Sequence, residues 1–204
     1  MPILRSAFIA LSRNQPLRHF SERSALGRRL SSRFVAGMEI DDALRAAQAL
    51  HDQGIASTLD SLGENVTTPE QARRSADIYH RLLDAIAARK LNANVSLKLT
   101  QMGMDLDPAL ASEIVSGLVD HAVAANNFIR IDMEGTDYTQ ATLDLTQSLH
   151  AQPANRGHVG VVIQAYLYRS AQDIADLTAS GIRIRLCKGA YKEPPSLAFP
   201  QKSE

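Results

Sequence analysis

The sequence predicts an α/β protein on parallel strands, of the (β/α)8 TIM-type barrel class, and two observations lead there. Five segments with strand-like patterning, at residues 55–62, 95–100, 128–134, 159–166 and 182–187, alternate with helical patterns and with no hairpin signal between them. Their connections are therefore crossovers, which leaves a doubly wound sheet or a barrel. The turn after the first strand, LDSLGENVTTPEQ, has only Gly63 where a dinucleotide-binding fold would show G-x-G-x-x-G, and no Walker-type loop is present. That absence favours the barrel.

Taken in order, residues 3–35 read as two or three short helices rich in Arg and Ser. A clearer helix follows over residues 40–53, with Ile40, Leu44, Ala47 and Leu50 on one face and Gly54 placed to end it in the left-handed conformation. We divide the chain here into an N-terminal helical segment (1–53) and a partial barrel (54–204). The first strand closes at Gly63-Glu64. Thr68-Pro69-Glu70-Gln71 then starts a helix with a capping hydroxyl, a proline at the first helical position and a glutamine to complete a capping box. Ala72, Ala76, Tyr79, Leu83 and Ile86 follow at helical spacing. The unit recurs as strand 95–100, Gly103 and the Asp107-Pro108 helix start, with Leu110, Ile114, Leu118 and Ala122 inward. It recurs again as strand 128–134, Gly135 and a helix over 138–150. Strand 159–166 leads to a second capping box, Ser170-Ala171-Gln172-Asp173, and a short helix stopped by Gly181. The fifth strand, IRIRLC, opens into Lys188-Gly189-Ala190, where the glycine lets backbone amides approach an anionic ligand.

Side chains alternate across a strand, so parity sorts the faces. Val95, Leu97 and Leu99, then Ile129, Ile131 and Met133, then Val159, Val161 and Ile163, then Ile182, Ile184 and Leu186 form an aliphatic side for the helices. The other side becomes polar toward the carboxyl ends, with Asp60, Lys98, Asp132, Gln164 and Arg185. In barrels that end builds the active site. An internal ion network with no ligand is the bland alternative.

The residue types narrow the chemistry. The histidines show no H-x-x-x-H spacing, and Asp132-x-Glu134 as a cation site is opposed by Lys98 and Arg185, so no metal is expected. No nucleophile elbow supports a Ser/His/Asp triad. Cys187 reads as a small core residue. What remains is a cationic pocket with a buried acid, suited to an anionic cofactor and a carboxylate substrate. With 22 basic and 22 acidic residues the chain gives no electrostatic reason to expect nucleic acid or an anionic membrane as main partner. One cysteine suits a reducing compartment, and no apolar run approaches the roughly 20 residues of a membrane span. The first residues lack a signal-peptide cleavage pattern, so the cytoplasm is expected. The oligomeric state is left open.

Several long motifs then coincide in order: SSRFVAG at 31–37, LDSLGENV at 59–66, VSLKLTQMG at 95–103, RIDMEGTDYT at 130–139, VGVVIQAYLYRS at 159–170 and RIRLCKGAYKEPPSLAF at 183–199. On these the chain resembles the proline dehydrogenases, flavin-dependent (β/α)8 barrels that oxidise L-proline to Δ1-pyrroline-5-carboxylate. It looks more like the small monofunctional bacterial enzymes than the large bifunctional ones. The resemblance implies FAD as cofactor, L-proline as substrate, and quinone as electron acceptor, with peripheral membrane contact. It implies that Lys98 binds the substrate carboxylate and that Asp132 and Arg185 are catalytic, Arg185 beside the reactive flavin nitrogen. It further implies that Met133, Gln164, Lys188, Gly189 and Ala190 contact FAD. Glu64 matches the acidic partner of a substrate-binding arginine near the family's C-terminus.

The strand starts account for five β/α units, whereas a barrel of this class has eight in about 250 residues. By the resemblance, strands six to eight and a helix with paired arginines would follow Glu204. The expectation is a truncated chain that alone binds FAD weakly or not at all. Two other readings stand beside the flavoenzyme: a lyase barrel forming a Schiff base at Lys98, and a non-catalytic remnant that associates through open sheet edges.

Overall fold

The structure, a computed structural model, describes residues 35–63 and 66–200. The short helices expected before residue 35 lie outside these residues, and so does Glu64. The chain forms two compact units, residues 1–46 and 47–204. Helix α1 (Ile40–His51), which runs from the first of these into the second, begins where the Asp42 carboxylate accepts hydrogen bonds from the backbone N–H groups of Met38 (3.1 Å) and Glu39 (3.2 Å). These are orphan donors of a helix start, which a nearby carboxylate satisfies. The helix ends at Gly54, φ +75°, whose N–H bonds to the His51 carbonyl while that of Ile55 bonds to Leu50. This is the expected left-handed stop.

The second unit runs β1 (Ser57–Asp60), α2 (Pro69–Arg89), β2 (Ala93–Leu97), a 3-10 turn (Thr100–Met102), α3 (Pro108–Ala124), β3 (Ile129–Ile131) and α4 (Thr136–Ala151). A second 3-10 turn (Pro153–Asn155) precedes β4 (Val159–Gln164), α5 (Ser170–Ala179) and β5 (Arg183–Cys187). All strands are parallel and lie in one sheet in the order β1-β2-β3-β4-β5. A doubly wound sheet would reverse its order at a switch point. This one does not, and the sheet curls as part of a TIM-type barrel.

The helix-facing side is aliphatic as parity requires, with Val95, Leu97, Ile129, Ile131, Val159 and Val161 fully buried. The pattern fails at Leu186, which is 58% exposed near the end of β5. Strands stop earlier than their patterning suggests. β2 ends at Leu97 because Leu99 (φ −67°, ψ −33°) already turns into the 3-10 helix, and β3 keeps only three residues. Lys98 and Asp132 therefore stand just beyond the strand ends.

The helix starts show what sequence patterns resolve. The Thr68 hydroxyl accepts from the Gln71 N–H (3.3 Å), and Gln71 Oε1 accepts from the Thr67 N–H (2.7 Å), one residue further out than a capping box. The Asp107 carboxylate caps α3 through the Ala109 N–H (2.8 Å). The second capping box does not form. The Ser170 hydroxyl turns inward and donates to the Gln164 carbonyl (2.6 Å), and Asp173 is held by Arg169 Nε (2.7 Å) and Nη2 (3.0 Å). A buried carbonyl at the end of β4 needs that donor more than the helix start does.

Candidate active site

Parallel register carries the site. Ser96 lies level with Arg130, Arg130 with Gly160, and Gly160 with Arg183. Two residues further along, the same face presents Lys98, Asp132 and Arg185. Arg185 Nη2 donates to Asp132 Oδ1 at 2.6 Å and to the Ser96 hydroxyl oxygen at 3.4 Å. The Ser96 hydroxyl itself donates to the same carboxylate oxygen in a short contact. Ser96 and Arg185 belong to strands three positions apart, about 14 Å across a flat sheet. Their approach requires the curl of the sheet and the length of the arginine.

Lys98 Nζ closes the cluster, 3.1 Å from Asp60 Oδ2 and 3.8 Å from Asp132 Oδ2. Asp60 Oδ1 in turn lies 3.1 Å from the hydroxyl of Tyr79, which reaches in from α2. Tyr79 is fully buried, and that burial, followed by the negative charge of Asp60, raises its phenol far above the ordinary value. It remains a proton donor across the working pH range. Its oxygen accepts from the Ser61 N–H (3.3 Å), and Gln101, 3.0 Å from that hydroxyl, donates to the Ser61 carbonyl (3.1 Å). Two carboxylates thus face two cations, with the Lys98 and Asp132 side chains each 18% exposed and that of Arg185 41% exposed.

A second group lies one step higher. Gln164, buried, donates from Nε2 to the Glu134 carbonyl (2.8 Å) and accepts at Oε1 from the Ala190 N–H (3.2 Å). It bridges the loops after β3 and β5. The Glu134 carboxylate accepts from the Thr100 N–H (3.1 Å) and hydroxyl (2.6 Å), so it braces a loop and does not face Asp132 as a cation site would require. Among the described residues no group of three or more His, Cys, Asp or Glu side chains is placed to hold a metal ion. Gly189 has φ +107°, and a Cβ there would lie 2.1 Å from the Tyr166 ring, so the turn admits only glycine.

Of the expected site residues, Lys98, Asp132 and Arg185 meet, and Gln164 meets Ala190. Lys188 is exposed. The Met133 side chain is buried with Leu143, Ile163 and Leu177 on the helix-facing side, away from the polar cluster. Cys187 is exposed and not a core residue, because β5 is a sparsely covered edge strand. The ion-paired Lys98 is unlike the unpaired, desolvated lysine a Schiff base needs. Sequence patterning missed Ser96, Tyr79 and Gln101. Tyr79 sat in an apolar helix stripe whose polar tip carries no periodic signal.

A protein-family model described as proline dehydrogenase matches residues 43–194. Proline dehydrogenase 1 of Bacillus subtilis is 37% identical over 201 residues, covering 98% of this chain and 65% of that protein. Proline dehydrogenase of Deinococcus radiodurans is 37% identical over 178 residues, covering 86% of this chain and 57% of the relative. This chain therefore spans about two thirds or less of the length of these curated relatives. The crystal structure of proline utilization A (PutA) from Bdellovibrio bacteriovorus, inactivated by N-propargylglycine, superposes with a TM-score of 0.72 at 23% identity. That match covers 81% of this chain and 21% of the other, a likeness of fold. With a family model spanning most of its length and relatives named for one activity, the chain belongs to the proline dehydrogenase family.

Proposed function

We propose that this chain carries the carboxylate-binding and flavin-facing part of an active site that oxidises L-proline to Δ1-pyrroline-5-carboxylate with FAD. The observation that supports it best is Asp132 receiving both Arg185 and Ser96, beside a Lys98 paired to Asp60, at the carboxyl ends of parallel strands. The donor set fits an anionic, electron-rich cofactor. Arg185 engages through Nη2 and keeps its other N–H donors on a side chain 41% exposed. Gln164 keeps one amide N–H in reserve, and the exposed Lys188 beside the Gly189 turn offers a charge.

FAD, when bound, supplies the two-electron acceptor that lets an amine C–N bond become an imine. The residues of this chain do the rest. Lys98 is a point charge that neutralises the substrate carboxylate and orients its ring. Asp60, held by Tyr79, keeps that ammonium aimed. Asp132 and Ser96 hold the Arg185 fork, so a fixed positive charge stands where negative charge accumulates. By the resemblance, Glu64, outside the described residues, is the acidic partner of a substrate-binding arginine near the family's C-terminus, and Met133 is a flavin contact. Quinone as electron acceptor, and work in the cytoplasm or at the membrane surface, complete the reading; no helix among the described residues is long and apolar enough to cross a membrane.

The test is proline-dependent dye reduction by the purified chain with added FAD, alone and extended by the final third of the B. subtilis relative. The extended chain is expected to turn over proline, and the 204-residue chain to take up flavin weakly or not at all. A folded, yellow, extended protein with no proline-dependent reduction would sink the proposal. A second reading, association through the open edge of β5, draws on the exposed Leu186 and is checked by the mass in solution.

A further inference from the structure

Helix α4 begins without a side chain of its own to cap it, because its N-cap is Gly135. The cap comes from elsewhere. The Glu193 carboxylate, in the segment after β5, accepts from the Thr136 N–H at 2.9 Å and from the Thr136 hydroxyl at 2.5 Å. This two-point clasp joins the fifth β/α unit to the third, reaching over the fourth. Between β5 and Glu193 runs the Lys188-Gly189-Ala190 turn. Neutral groups also anchor that stretch: the Tyr166 N–H donates to the Lys188 carbonyl (3.3 Å), the Ala190 N–H to Gln164 Oε1, and the Tyr166 hydroxyl to the Tyr191 carbonyl (3.1 Å). A carboxylate taking an N–H and an O–H at a helix start is stronger than a neutral hydrogen bond, through its charge and the helix dipole. The same device occurs one unit earlier, where Glu134 grips the N–H and hydroxyl of Thr100.

We infer that Glu193 is a positioning residue whose grip on Thr136 preforms the Lys188–Ala190 turn against Gln164, so that the turn meets its ligand already ordered. That the ligand is a flavin rests on the reading above; the ordering of the turn does not. Amide hydrogen exchange on the 204-residue chain without flavin tests it, comparing wild type with Glu193→Ala, Glu193→Gln and Thr136→Val. The amides of residues 189–191 are expected to exchange at least about tenfold faster in Glu193→Ala and Thr136→Val, with β2–β4 amides unchanged. Glu193→Gln, which still accepts the N–H, should fall between. Unchanged exchange in Glu193→Ala overturns the inference, and so does loss of protection spread evenly over the sheet. Flavin titration of the same variants in the chain extended by the final third of the B. subtilis relative separates the two ideas. A weaker affinity in Glu193→Ala supports the positioning role, and an affinity equal to wild type refutes it. No uptake by any form, wild type included, counts against the flavin reading, while the exchange rates alone decide the clasp.

Discussion

Two rows of cations cross the inner face of the sheet, about 7 Å apart along the strands, and they are accommodated in opposite ways. In the upper row Lys98 and Arg185 meet Asp60 and Asp132, each cation bonded to a carboxylate that another group also holds. In the lower row Arg130 and Arg183 flank Gly160 and stack on the Phe128 ring, with guanidinium carbons 4.9 Å and 4.2 Å from its centroid. Arg130 Nε is buried with no hydrogen-bond partner among the described residues. Burial, followed by the neighbouring charges of Arg185 and Arg183, lowers its pKa. Gly160 is required there, since a Cβ would lie 2.4 Å from the Arg183 carbonyl oxygen and 2.8 Å from the Phe128 ring. The difference teaches that the rows serve different ends. An aromatic face tolerates a cation without aiming it, whereas shared carboxylates hold a cation in one place.

The comparison breaks most visibly at Asp132. Asp132→Ala takes from Arg185 its carboxylate and leaves Lys98 with Asp60, and proline-dependent turnover of the extended chain should fall by about a hundredfold or more. Stability should drop by about 2 kcal/mol in urea melts, a partly exposed pair costing less than a buried one. Equal turnover would place the upper row with the lower, as packing.

Tyr79→Phe attacks the same row indirectly. It removes the donor on Asp60 and the acceptor for the Ser61 N–H, at a cost of about 1–2 kcal/mol. Loosened aim of Lys98 should raise KM for proline roughly tenfold with a smaller change in kcat, by loss of about 1.4 kcal/mol of uniform binding.

Arg130→Met sharpens the contrast from below. It removes an unpaired, half-buried charge and keeps the aliphatic stem, so stability should hold or rise by up to about 1 kcal/mol. Arg185→Met, which deprives Asp132 and Ser96 of their partner, should destabilise. If both behave alike, the rows are not distinct.

A control outside both rows gives the smallest effect. His80 Nδ1 and His121 Nδ1 meet at 2.7 Å between α2 and α3, and His121 Nε2 lies 2.9 Å from Asp84. One proton sits between the facing nitrogens, so the pair cannot take a proton on each and keep the contact. Burial, then the charge of His121, lowers the His80 pKa below 6.5, against smaller opposing effects of Asp77 and Asp84. The unfolded chain therefore takes up its proton first as pH falls. The stability from this contact is present above about pH 6.5 and is lost as pH drops through the lower folded value. Urea midpoints at pH 7.5 and 5.5 should differ less in His80→Gln than in wild type, and an unchanged difference would rule the pair out as the source.

Much of the molecule was legible because its rules are local. Period-two alternation put Lys98, Asp132 and Arg185 on one face before any contact was seen, and Gly54, Thr68 and Asp107 marked helix ends through bonds spanning a few residues. The failures were equally local. Ser170 meets all the criteria of a cap and turns to Gln164 instead, and Cys187 patterns as core yet is exposed on an edge strand.

The chain's own patterning settles the order of elements, the parallel sense of the strands and the polarity of each face, because these follow from backbone period and crossover length. Which polar groups touch is another matter. Ser96 and Asp132 are 36 residues apart, Arg185 and Asp132 are 53 apart, and Glu193 and Thr136 are 57 apart. The first needs the register of two neighbouring strands, and the other two exist only once the sheet has curled and brought the third and fifth units within a side chain's reach. Curvature is a property of five strands together, and no short window of residues contains it.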